Sequence, residues 1–174
     1  MDGENDHPQP EALSTRPPEE HDLVALCGEL NRQGARYVVV GGFAIIAGGY
    51  PRFTSDIDLL IDTSLENEGR VRKALETLPD RAVDDMKPGE VHQFKVIRIA
   101  DEIMVDLMES ACGIEYDELS QDAVIREVKG VPIPFASLRM LWRMKKPTRR
   151  EKDIPDLLFL RQWFEARGET PPDC

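Results

Sequence analysis

The sequence predicts an α/β fold (α+β in a stricter classification), because apolar runs with strand periodicity alternate with helical stripes. The β-branched run at residues 37–40 is typical of a buried strand. Residues 56–62 alternate aspartates with apolar side chains, which predicts a second strand. Amphipathic stripes at 22–34 and 64–78 predict helices that pack on this sheet, the second capped by Ser64.

A glycine pair ends the first predicted strand. Gly41 and Gly42 precede a short apolar segment, residues 43–47, that predicts one or two helical turns. Glycine has no Cβ, so the backbone can approach an anion closely while the N–H groups of the following helix point at it. This corner is therefore a candidate phosphate-binding element.

Two carboxylates share one face of the second strand. Asp56 and Asp58 alternate with Ile57, so their Cα atoms should lie about 6.6 Å apart on the same side. Neighbouring carboxylates raise each other's pKa, and a divalent cation such as Mg²⁺ removes that repulsion. The alternative is that the two aspartates form a solvated strand end without a metal.

The spacing of these motifs resembles a known family. Val40-Gly41-Gly42, followed after thirteen residues by Asp56-Ile57-Asp58-Leu59, is similar to the signature of the polymerase-β-type nucleotidyltransferase superfamily. The longer Arg52-x-Thr54-x-Asp56 pattern resembles its AbiEii-type branch, which includes toxins of toxin–antitoxin pairs. The resemblance implies a small mixed sheet flanked by helices, with a C-terminal helical extension. It also implies that Asp56 and Asp58 hold two Mg²⁺ ions, with an NTP as substrate.

Residues 103–108 predict a strand with a carboxylate in its middle. Ile103, Val105 and Leu107 share one face, and Asp106 lies on the other. An unpaired charge in an apolar strand would cost several kcal/mol, so Asp106 needs a partner. An arginine could supply it. The superfamily resemblance instead implies that Asp106 completes the catalytic metal site and helps to deprotonate the attacking hydroxyl.

A second match lies near the C-terminus. Leu141-x-x-x-Lys145, then Arg149-x-x-Lys152-Asp153-x-x-Asp156, resembles the C-terminal helical motif of the AbiEii-type branch. The resemblance implies that Lys145, Lys152 and Asp153 lie near the nucleotide. Arg52 and Thr54 would orient the loop or contact phosphate, although Arg52 could equally form a structural ion pair.

Other elements follow from periodicity and turn residues. Strands are predicted at 91–99 and in a hairpin at 124–134, with an irregular connection at 110–122. A helix capped by Ser137 is expected through Lys145, and a last helix from Asp153 to about Ala166. We expect three parts: a disordered acidic tail (1–21), a nucleotidyltransferase core (22–135) and a C-terminal helical extension packed on the core (136–174).

Charge and composition limit the partners. The net charge of −11 argues against a broad nucleic-acid-binding surface, yet residues 139–152 hold seven basic side chains against one acid. This basic segment favours an RNA acceptor, unless it is a solvated helix end. The longest apolar runs are too short for a membrane span, and three widely spaced cysteines fit a reducing, cytoplasmic location.

The predicted activity is transfer of a nucleoside monophosphate from an NTP to an acceptor hydroxyl. The acceptor stays open among tRNA, a protein and a small molecule, and a cognate antitoxin is a candidate partner. One alternative is a non-catalytic nucleotide- or partner-binding module on the same scaffold. Another is a transferase that modifies an antibiotic, and the excess of acidic residues is compatible with it.

Overall fold

A six-stranded mixed sheet forms the centre of the molecule. The computed structural model describes residues 15–173. The strands of this sheet are β1 (Tyr37–Val40), β2 (Asp56–Ile61), β3 (Val96–Ala100), β4 (Met104–Met108), β7 (Val124–Val128) and β8 (Val131–Phe135). They lie side by side in the order β3-β4-β2-β1-β8-β7. Strands β1 and β8 are parallel, as are β2 and β4, and the other neighbours are antiparallel.

Helices flank this sheet, so the predicted fold class is confirmed. They are α1 (Glu20–Arg32), α2 (Gly41–Ala47), α3 (Leu65–Leu75), α4 (Glu90–Phe94), α5 (Tyr116–Gln121), α6 (Leu138–Lys145) and α7 (Ile154–Ala166). Short 3₁₀ turns occupy 82–85, 146–148 and 151–153, and a small hairpin joins β5 (Ser110–Ala111) to β6 (Ile114–Glu115). Among residues 15–173, no helix has both the length and the apolar character needed to cross a membrane.

Strand β1 lies in the middle of the core. All four of its side chains are buried, so both faces of the sheet are covered at this point. The Tyr37 hydroxyl donates to the Asn31 side chain of α1 at 2.9 Å, and α1 buries its apolar stripe, which includes Leu26 and Leu30. This packing buries β1, whose last residue, Val40, leads directly into the glycine corner.

Two predicted segments differ from the structure. The strand predicted at 91–99 is wrong in its first half, because residues 90–94 form α4 and β3 begins only at Val96. Positive φ angles at Gly89 and Lys95 bound this single helical turn, and Val91 is its buried residue. The connection predicted to be irregular at 110–122 contains the β5–β6 hairpin and α5 instead. Both elements are too short for periodicity to reveal them.

The first and last segments of the described residues make specific contacts. Residues 1–14 of the predicted tail lie outside the described residues, whereas Arg16 pairs with Asp22 at 2.7 Å and with Glu102 at 3.2 Å. At the other end, α6 and α7 pack through Trp142 and Phe164, whose rings meet edge to face. The division into core and extension stays a prediction.

Candidate active site

The three predicted carboxylates lie together. Strands β2 and β4 are parallel and in register, so Asp58 lies directly beside Asp106, and Asp56 is two residues earlier on the same face. One carboxylate oxygen from each aspartate can be chosen so that all three lie within 4.8 Å of one another. This spacing suits carboxylates that share a metal ion.

The electrostatics of the three aspartates are unfavourable without a cation. Burial, with the charges of Asp56 and Asp106, raises the pKa of Asp58 to about 7. Burial and the neighbouring Asp106 also raise the pKa of Asp56. Both shifts mean that the fold resists accumulating negative charge here, which is the condition that a bound divalent cation would relieve.

The glycine pair allows a loop and an aspartate to come close to the end of β1. Gly41 has a φ of +65°, and a Cβ at this residue would lie 2.0 Å from Asp58 Oδ2. A Cβ at Gly42 would lie 2.4 Å from Thr54 Oγ1. Thr54 in turn donates to the Asp56 carbonyl oxygen at 3.1 Å, so the glycines, the loop and β2 are held together.

Arg98 is the residue that the sequence analysis missed. It lies on β3 opposite Asp106, and its Nε and Nη2 donate to the two Asp106 carboxylate oxygens at 2.8 Å each. Its Nη2 also lies 3.4 Å from Asp56 Oδ2. The arginine partner considered for Asp106 therefore exists. It contacts two members of the triad formed by Asp56, Asp58 and Asp106. A lone arginine between Ile97 and Ile99 was the signal that could have found it.

Of the two lysines near the C-terminus that were predicted to bind the nucleotide, Lys145 is held by buried carboxylates. Lys145 Nζ lies 3.2 Å from Asp153 and 3.1 Å from Asp156. Arg52 pairs with the same Asp156 at 2.8 Å, and Arg150 with Asp153 at 2.8 Å. Arg52 thus has the structural ion pair that was its alternative role. The additional contact of Lys145 and Arg52 with phosphate stays a prediction.

Other basic residues of the 139–152 segment are dispersed. Arg139 pairs with Glu169 and Arg143 with Glu118, each at 2.6 Å. Lys146 lies over the Trp142 ring. Within residues 15–173, Arg149 and Lys152 have no ion-pair or hydrogen-bond partner of their own. Little of the predicted basic patch is therefore free to meet an acceptor.

One cleft of about 720 Å³ unites these groups. It is lined by every predicted site residue: Gly41, Gly42, Arg52, Thr54, Asp56, Asp58, Asp106, Lys145, Lys152 and Asp153. Arg98 lines it as well, and Phe53 stands at its edge with 96% of its surface exposed. The cleft is large enough for a small-molecule ligand. The catalytic, metal-binding and nucleotide-binding roles of these residues stay predictions.

A comparison with solved structures supports the fold assignment. A protein of Thermotoga maritima named putative nucleotidyltransferase matches with a TM-score of 0.50 and 18% sequence identity. The match covers 84% of this chain and 92% of that chain. No family model and no curated protein match the sequence. The likeness therefore indicates a nucleotidyltransferase-type fold.

Proposed function

We propose that the protein is a divalent-metal-dependent nucleotidyltransferase. It would move a nucleoside monophosphate from an NTP to an acceptor hydroxyl and release pyrophosphate. The observation that carries this proposal is the approach of three carboxylates, on Asp56, Asp58 and Asp106, within 4.8 Å in a cleft that also holds the glycine corner. The fold likeness to a putative nucleotidyltransferase supports the same class.

The residues present fit a hard divalent cation. Three carboxylates offer only oxygen ligands, and burial, with the charges of Asp56 and Asp106, raises the pKa of Asp58, a penalty that a bound cation would relieve. Mg²⁺, as two ions by the superfamily resemblance, would neutralise charge on the triphosphate oxygens and lower the pKa of the acceptor hydroxyl. Asp56, Asp58 and Asp106 would hold it.

The protein itself would bind and orient the substrate. Gly41 and Gly42 line the cleft and have no side chains of their own, so their backbone N–H groups could be approached by the phosphates beside the Asp58 and Thr54 side chains that pack against them. Lys152 lines the cleft and forms no ion pair among residues 15–173, and its charge partly offsets the rise that burial causes in the pKa of Asp56 and Asp58, so it lies near these carboxylates and is suited to a triphosphate oxygen. Asp106 would accept the proton of the acceptor hydroxyl once Arg98 no longer holds its oxygens.

Within this class, we infer toxin-type activity on tRNA, with a cognate antitoxin as partner. The AbiEii-type pattern of Arg52, Thr54 and Asp56 supports this inference, because the branch includes such toxins. The charge of the basic segment weighs against an RNA acceptor, because most basic residues at 139–152 are paired with carboxylates and only Arg149 and Lys152 offer a small free positive surface. A protein or small-molecule acceptor, including an antibiotic, is the competing proposal.

One observation favours a different class, a non-catalytic nucleotide- or partner-binding module. Arg98 donates to both oxygens of Asp106, which would suffice to explain a carboxylate buried at this position. In that case Asp106 would keep Arg98 and take no part in metal binding. Loss of transfer activity in an Asp106→Asn variant would argue against this alternative.

The test is transfer of label from each α-³²P-labelled NTP to a cell extract with Mg²⁺. We expect label in a macromolecular or small-molecule fraction with the wild type and at least a thousandfold less with Asp58→Asn, since metal clamps on phosphoryl groups supply several kcal/mol. Asp85→Asn, an exposed aspartate on the 82–85 turn, is the matched control and should retain activity. Full activity of Asp58→Asn would refute the proposed function.

A further inference from the structure

Arg98 lies where a cation at the triad would have to bind. Its guanidinium donates to both oxygens of Asp106 at 2.8 Å and reaches Asp56 Oδ2 at 3.4 Å. Two of the three carboxylates that form the candidate metal site are therefore already next to a positive charge. The triad in this state has an internal counter-ion.

The Arg98 side chain has open space around it, whereas its partner Asp106 is buried. The Arg98 side chain is 57% exposed and that of Asp106 is 10% exposed. Arg98 lies on β3, an edge strand of the sheet, and it lines the cleft. A rotamer change could carry the guanidinium from the carboxylates into the cleft without disturbing a packed neighbour.

A guanidinium and a divalent cation cannot both be favourably placed here. They repel each other, and both would use the oxygens of Asp106 and Asp56. Lys145 and Lys152 act on Asp58 only through their charges, without an ion pair to any of the three aspartates, and Asp153 and Asp156 hold the Lys145 ammonium group, so Arg98 is the cation in direct contact with them among residues 15–173. Binding of a cation at the triad should therefore be coupled to release of Arg98.

We propose that Arg98 is the resting counter-ion of the triad, that it yields Asp106 and Asp56 to the divalent cation, and that it then binds phosphate oxygens in the cleft. This inference rests on the proposed function. The planar guanidinium that now forms a two-point contact with a carboxylate can form the same contact with a phosphate. Metal binding would thus prepare the cleft for the triphosphate.

The first test measures Mn²⁺ binding to the nucleotide-free, full-length protein by titration calorimetry. Arg98→Gln should bind Mn²⁺ about tenfold more tightly than the wild type, because a competing unit charge has been removed. Arg98→Lys keeps the charge and should stay within about threefold of the wild type. Wild-type or weaker affinity in Arg98→Gln would overturn the proposal and assign Arg98 to positioning Asp106.

The matched control is Arg81→Gln. Arg81 contacts Asp84 through Nε and Nη2 at 3.1 and 3.0 Å, the same two-point geometry, but on the 82–85 turn outside the cleft. Its Mn²⁺ affinity should equal that of the wild type. If it also tightens, the effect of Arg98→Gln reflects net charge alone and the proposal fails.

The second test adds inorganic pyrophosphate to the Mn²⁺-saturated proteins. Arg98→Gln should bind pyrophosphate about tenfold more weakly than the wild type, because a charge-assisted contact is lost. Unchanged affinity would overturn the phosphate-binding step. Asp58→Asn separates the two proposals: if the wild type binds Mn²⁺ no better than this variant, the metal site of the proposed function fails, whatever Arg98 does.

Discussion

At the scale of single residues, Gly41 meets two requirements that other residue types cannot meet together. Its φ of +65° lies in the left-handed region, and the space where a Cβ would stand is occupied by Asp58 Oδ2 at 2.0 Å. The conformation and the close approach have the same consequence. They place an aspartate carboxylate against the backbone at the start of α2, where the phosphates are proposed to bind.

Gly41→Ala should therefore damage the site more than the backbone strain alone explains. Gly34 has nearly the same φ, +67°, but its Cβ would meet only Arg70 Nη1 at 3.9 Å, so Gly34→Ala is the matched control. Backbone strain alone should lower the unfolding free energy by about 1–2 kcal/mol in each variant. In Gly41→Ala the clash with Asp58 should lower it further, and this variant alone should also bind Mn²⁺ more weakly. Equal effects of the two substitutions on Mn²⁺ affinity would contradict this account of the corner.

The charge of Asp58 should limit stability when no metal is present. Its pKa in the fold, about 7, lies above that of an unfolded aspartate. The contribution of Asp58 to the free energy of unfolding is therefore largest below about pH 4, where the carboxyl is protonated in both the folded and the unfolded state. It is lost as the pH rises through about 7, where the buried carboxyl must ionise. The amide introduced by Asp58→Asn carries no charge at any pH, so this variant should avoid the loss.

We expect urea unfolding in EDTA to show Asp58→Asn more stable than the wild type by about 1–3 kcal/mol at pH 8. The difference should vanish near pH 4, where the wild-type carboxyl is protonated. Asp85→Asn should follow the wild type at both pH values. A constant difference between Asp58→Asn and the wild type across this range would mean that Asp58 does not titrate as described.

At the scale of secondary structure, α6 and α7 are joined by a buried ion cluster. Lys145, at the end of α6, pairs with Asp153 and with Asp156 on α7, and Arg52 connects Asp156 to the loop before β2. Buried charges of this kind are stable only while each has its partner. The cluster therefore fixes the C-terminal helices relative to the loop that carries Thr54.

Two lysines predicted to bind the triphosphate should behave differently. Lys145→Met removes a partner from two buried carboxylates and should cost about 3 kcal/mol of unfolding free energy. Lys152→Met should change stability by less than about 0.5 kcal/mol, yet weaken NTP binding by about 1.5–3 kcal/mol. Urea unfolding and NTP titration of both variants test this split. An unchanged NTP affinity in Lys152→Met would remove this lysine from the site.

The sequence predicted the elements whose signals are local. The β1–α2–β2 unit follows from an apolar run, a glycine pair and strand alternation, and Asp106 stands out because it interrupts an apolar strand. Arg98 could not be assigned in this way. Its role depends on the antiparallel register of β3 with β4, which is a tertiary property, and on a strand start that α4 displaces to Val96.

At the scale of the whole molecule, charge is distributed against strong binding to a polyanion. The net charge is −11, and the basic segment 139–152 is largely neutralised by Glu118, Glu169, Asp153 and Asp156. The outer surface should therefore attract RNA only weakly. Sequence alone could count these charges, but their partners depend on how the helices pack.

This distribution predicts a weak dependence of RNA binding on salt. If tRNA is the acceptor and Lys152 binds the triphosphate, Arg149 is the cation of the segment without an ion pair or ring contact among residues 15–173 that is left to contact its backbone, so log K should fall with log salt with a slope no steeper than about −1. Filter binding of a tRNA pool between low and moderate salt measures the slope. A slope steeper than about −4 would show that a basic surface outside this segment dominates.

Asp56, Asp58 and Asp106 are proposed to form a divalent-cation site beside a triphosphate. The most direct measurement is the anomalous scattering of Mn²⁺ in crystals grown with Mn²⁺ and a non-hydrolysable NTP analogue. We predict an anomalous peak within coordination distance of a carboxylate oxygen of each of the three aspartates, with Arg98 turned towards the phosphates. Absence of a peak at the triad, with Arg98 still donating to both oxygens of Asp106, would contradict the claim.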